Sequence, residues 1–152
     1  MSATRRLFTT VAEGAVLFAI ACWALVLVIG LVTPRAFTPD KSIHGEIIGA
    51  LVAVFLPDGL AAWWIFRRLR VDRSRSDARR AATAFAVSAP VALGVGNLLG
   101  ALVGGYAEAL LGRYFVLPAI AAFTIVMMIF VPSGVVIWAL HPSGGVGPVG
   151  GK

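Results

Sequence analysis

The chain has 152 residues, 59% of them hydrophobic and only 13% charged, with a formal net charge of +6. A soluble domain carries roughly 25% charged residues to cover its surface, so this composition excludes an ordinary soluble enzyme, and it is far too apolar for a disordered chain. The solvent that accepts so much apolar surface is a lipid bilayer.

Phe8 to Val32 reads as the first of four apolar spans. A removable signal peptide has an apolar core of only ~7–15 residues. The lipoprotein-like stretch Phe18 to Cys22 is followed by more apolar sequence, Trp23 to Leu27, so the segment reads as a retained span. Glu13 lies inside it, seven residues after Arg6, or about 10 Å along a helix. A connection with Arg35 and Lys41 leads to the second span, Ile47 to Phe66. Asp58 lies nine residues before Arg67, about 13 Å from the same end. The two carboxylates are therefore expected at similar depth. An ionised carboxylate there costs at least a few kcal/mol unless paired or hydrated, so Asp58 and Glu13 are the candidate ion or proton site. Pro57-Asp58-Gly59 is turn chemistry and predicts a break in the second span, with Asp58 capping the helix that follows.

Arg67, Arg68, Arg70, Arg73, Arg75, Arg79 and Arg80 fill the next segment, 67–80, read as a basic loop. Its expected partner is the anionic lipid surface, where each basic residue contributes about 1 kcal/mol. No aromatic is interleaved with these arginines, which disfavours nucleic acid. The third span runs from Ala81 to Gly104, or on to Leu111. Gly96, Gly100 and Gly104 are spaced by four, Ala92 extends the row, and Asn97, Ala101 and Gly105 run beside it. Small residues in such a stripe let helix backbones approach closely. Ala92, Gly96, Asn97, Gly100 and Gly104 are therefore the expected packing face, used within the chain or for an oligomer. Asn97 should find a hydrogen-bond partner across it. Gly104-Gly105 offers an early end to this helix, and Glu108 falls beyond the hydrocarbon, near Arg113. The fourth span is Tyr114 to Leu140, with a kink expected at Pro132-Ser133-Gly134. Its freed Met128 carbonyl needs Ser133 or a neighbouring helix. The tail 141–152, rich in Gly and Pro, reads as flexible.

Each span reaches the ~20 residues that cross the hydrocarbon and is apolar nearly all round, so the fold class is all-α, an integral membrane four-helix bundle over 1–140. Arg5, Arg6, the arginine segment and Lys152 fall on one side; Arg35, Lys41 and Arg113 fall on the other. This asymmetry predicts both termini in the cytoplasm of an inner-membrane protein. The aromatics agree: Phe8, Trp63, Trp64 and Trp138 mark the inner interface, and Phe37, Tyr106, Tyr114 and Phe115 the outer.

Catalytic chemistry is poorly supplied. Cys22 is the single cysteine, and the two histidines, His44 and His141, fall on opposite sides of the membrane. No phosphate loop, nucleophile elbow or HExxH motif occurs, and no pattern names a cofactor. Two function classes remain. The first, favoured on the sequence, is a non-catalytic subunit or assembly partner of a larger membrane complex, docking on other membrane subunits or on itself through the glycine face. The second is a small oligomeric proton- or ion-coupled transporter or channel using Asp58 and Glu13.

Overall fold

The computed structural model describes residues 3–32 and 43–141. The connection carrying Arg35, Phe37 and Lys41, the tail from Pro142 to Lys152, and the side chains of His44 and Glu46 lie outside the described residues. Four helices run in chain order: α1 Ala3–Val32, α2 Ile43–Asp72, α3 Arg75–Leu111 and α4 Val116–Leu140, the last preceded by a short 3-10 turn, Arg113–Phe115. All four are long and apolar enough to cross a membrane.

The helices outrun the apolar spans because polar residues at their ends are also good helix formers or caps. The 67–80 segment is not a loop. Only Arg73 and Ser74 are non-helical there, and the arginines on either side belong to the ends of α2 and α3. Ser74 explains the tight turn: it is extended (φ −62°, ψ 152°), and its hydroxyl accepts the Asp77 N–H at 3.1 Å. Asp77 sits in the first turn of α3, where a negative charge favours the exposed N–H groups. The end of α3 is set by Gly112, at φ 105°, a conformation side chains disfavour. Its N–H closes the last turn on the Glu108 carbonyl at 3.0 Å.

Two expected interruptions do not occur. Pro57-Asp58-Gly59 lies inside a continuous α2, and Gly104-Gly105 lies inside a continuous α3. Proline removes one backbone donor from a helix, yet the helix persists when tertiary packing holds both sides of the defect, and Pro57 is itself buried. α4 likewise continues through Pro132. Ser133 does not supply the expected hydrogen bond there, since its hydroxyl oxygen is buried without a partner.

Each helix packs on its chain neighbours, α4 closes back on α1, α1 touches α3 only lightly, and α2 does not meet α4. This is a four-membered ring of helices with α3 and α4 in closest association. The shared core lies in the half that holds the α2–α3 turn. It comprises Val11, Ala15 and Phe18 of α1, Ala61 and Ile65 of α2, Ala81, Phe85 and Ala89 of α3, and Met128 and Val136 of α4. Phe18 and Phe85 meet edge to face across the middle, centroids 6.4 Å apart, an arrangement favoured by the ring quadrupole. In the opposite half the apolar side chains face outward: Leu27, Leu31 and Val32 of α1 and Ile48, Phe55 and Leu56 of α2 are all exposed. A groove of about 750 Å³ opens between α1 and α4, walled by Ala19, Trp23, Leu27, Leu117, Ala121 and Ile125.

Candidate intramembrane carboxylate site

The glycine face is filled from within the chain. A Cβ added at Gly96 would fall 2.7 Å from the Thr124 Cα, one at Gly104 would fall 2.7 Å from the Val116 Cα, and one at Gly100 would collide with the Ile120 Cα. Each four-residue step along α3 thus meets a four-residue step back along α4, which is antiparallel packing at backbone contact. Ala92 is buried on the same helix. Asn97 finds its partner here, its Oδ1 accepting the Thr124 hydroxyl at 2.7 Å. The neighbouring row stays open, for a Cβ at Gly105 would meet nothing within 4 Å. Of the two uses expected for the face of Gly96, Gly100 and Gly104, packing within the chain is the one these contacts make, with α4 as the partner.

Asp58 stands apart from this packing. α2 buries Ala53, Pro57, Asp58, Ala61, Ile65 and Leu69, spacings that place them on one face of a continuous helix. Asp58 is 4% exposed, and its Oδ1 is buried with no hydrogen-bond partner. It lies within electrostatic reach of the buried Cys22 thiol on α1. A carboxylate oxygen so placed has lost water and gained no donor in exchange, which costs a few kcal/mol while the group is charged.

One side of the Asp58 neighbourhood opens as a cleft of about 660 Å³ between α2 and α3. Phe55, Asp58, Trp63 and Phe66 line it from α2, and Arg75 and Arg79 line it from the first turns of α3. Trp63 also carries the Arg67 guanidinium, 5.5 Å above its ring centroid. The arginines therefore stand at the end beside the turn, with the carboxylate deeper along the cleft.

The second expected member of the site is elsewhere. Glu13 is exposed on the outer side of α1, so similar depth does not make it a partner of Asp58. Helix rotation decides this: Val11, Ala15 and Phe18 point into the core, and Glu13 is turned away from them. Arg67, Arg68, Arg70, Arg75, Arg79 and Arg80 are exposed and Arg73 half-buried. Arg6 reaches this end of the bundle and pairs with Asp72 at 4.0 Å, an exposed contact contributing little. Among the described residues no cluster of His, Cys, Asp or Glu is suited to hold a metal ion. The cleft itself was readable in the sequence, since residues 55, 58, 62, 63 and 66 recur at helical spacing. The expected break at Pro57 hid that periodicity.

Comparison with protein-family models, with characterised proteins and with solved structures yields no match. The functional reading rests on the side chains themselves.

Proposed function

We propose that the chain is a small proton- or cation-coupled membrane transporter in which Asp58 carries the ion. The observation that supports this is a buried carboxylate, the one such group among the described residues, whose Oδ1 has no hydrogen-bond partner and which lines a cleft within the membrane-spanning part of a helix. Such groups are costly, so an ionisable residue at this depth is by default a functional one. Asn97 is committed to Thr124, and Glu13 faces outward, which among the described residues leaves Asp58 as the intramembrane group able to exchange a charge. The arginine-rich end lies in the cytoplasm against anionic lipid, both termini lie on that side, and the protein resides in an inner membrane, as the distribution of Lys and Arg implies.

The test is ion flux in liposomes containing only this chain, with a pH-sensitive dye inside and a gradient imposed. Asp58→Asn abolishes the flux while Glu13→Gln retains it. Equal flux from wild type and Asp58→Asn overturns the proposal.

One observation favours the other class, a non-catalytic subunit of a membrane complex. The α1–α4 groove is almost wholly apolar and opens along the bundle, a form that accepts a partner's transmembrane helix. Native mass spectrometry of gently extracted protein separates the classes: other polypeptides in stable proportion support the subunit, and this chain without other proteins supports the transporter.

A further inference from the structure

The chemistry around Asp58 selects among the cations that a carboxylate could hold. A bare metal ion takes several oxygen ligands, whereas the described lining of this cleft offers side-chain oxygens from Asp58 and Thr83 alone, and the walls nearest the carboxylate are aromatic and aliphatic: Phe55, Trp63 and Phe66 from α2, Val87 from α3. An organic cation needs one counter-charge and apolar contact for its body, and aromatic faces attract it further. The cleft volume, about 660 Å³, falls within the roughly 300–1,000 Å³ of small-molecule sites.

We infer that the α2–α3 cleft binds a lipophilic organic cation, a bulky quaternary ammonium or phosphonium, with its charge against Asp58 and its apolar body against Phe55, Trp63 and Phe66. This deepens the transport reading and rests on it, because it names what Asp58 exchanges for its proton. Arg75 and Arg79 oppose a cation arriving along the basic end, so the ligand reaches Asp58 sideways from the bilayer. Proton and ligand compete for one carboxylate. Among the described residues, the charged or titratable groups around it are Arg75 and Arg79, which line the same cleft from α3, and Cys22, within electrostatic reach on α1, and α4 does not reach α2.

The experiment is equilibrium binding of radiolabelled tetraphenylphosphonium to the full chain in lipid nanodiscs, with binding to empty discs subtracted. Tetraphenylborate, an apolar anion of the same shape, is the control. The phosphonium binds saturably, and binding weakens as pH falls. Asp58→Asn weakens it about tenfold or more, as expected for losing a charged partner. Glu13→Gln leaves it unchanged, and Asp58→Glu, which keeps the charge, keeps binding and so separates loss of charge from loss of fold. Undiminished phosphonium binding in Asp58→Asn, or equally saturable borate binding, overturns the inference. Asp58-dependent proton flux without phosphonium binding overturns this ligand and leaves the transport reading standing. Phosphonium binding without flux does the reverse.

Discussion

Asp58 and Gly100 behave oppositely to substitution. The Asp58 carboxylate lacks a partner for its buried Oδ1, so Asp58→Asn removes a charge that folding must desolvate. Its thermal midpoint in mild detergent equals or exceeds that of the wild type; a clear loss of stability would mean that the carboxylate has a structural partner. Gly100 has no room for a side chain, since a Cβ there meets the Ile120 backbone. Gly100→Ala forces α3 and α4 apart and destabilises by about 1–3 kcal/mol, the usual cost of overpacking. Gly105→Ala faces open space and stabilises by up to about 1 kcal/mol through helix propensity. Equal unfolding curves for the two variants would contradict the α3–α4 register. A third residue-scale prediction concerns the hydrogen bond between Thr124 and Asn97. Thr124→Val leaves the Asn97 amide without its partner and costs about 1 kcal/mol, in line with interhelical bonds in membranes. The same unfolding measurement checks it.

Among the elements, α3 and α4 form the most tightly joined pair, and α2 bears the carboxylate proposed to carry the ion. The glycine stripe was legible because small residues at four-residue spacing have one physical use, close backbone approach. Which helix would fill it was not legible, since lipid, a second chain and α4 present the same apolar chemistry to it. The continuity of α2 was not legible either: Pro57-Asp58-Gly59 has the local composition of a turn, and packing on both neighbours overrides it. A break at Asp58 would remove the stripe of Phe55, Trp63 and Phe66 around the carboxylate. Glu13 failed as a partner for a related reason. Depth along a helix follows from counting residues, but the direction a side chain faces depends on how the helix is rotated in the bundle.

For the whole molecule, four spans and their chain order follow from composition and spacing alone, and the structure adds where the core lies. Packing is concentrated in the half next to the α2–α3 turn, where the arginines also gather, while the opposite half leaves α1 and α2 largely bare. The proposed orientation can be checked by cysteine labelling in a Cys22→Ser background. Ser76→Cys is modified by a membrane-impermeant maleimide only after the cytoplasmic face is exposed, and Leu110→Cys is modified from outside intact cells. The opposite pattern would invert the topology.

Ion carriage requires Asp58 to ionise reversibly while embedded in the bundle. Infrared difference spectroscopy of the protein in lipid, cycled between low and neutral pH, reads this directly through the carbonyl band of a protonated carboxyl group. The expected band appears and vanishes with pH, is lost in Asp58→Asn and survives in Glu13→Gln. Identical difference spectra for wild type and Asp58→Asn would show that Asp58 does not exchange a proton with water, and would contradict its role as the ion carrier.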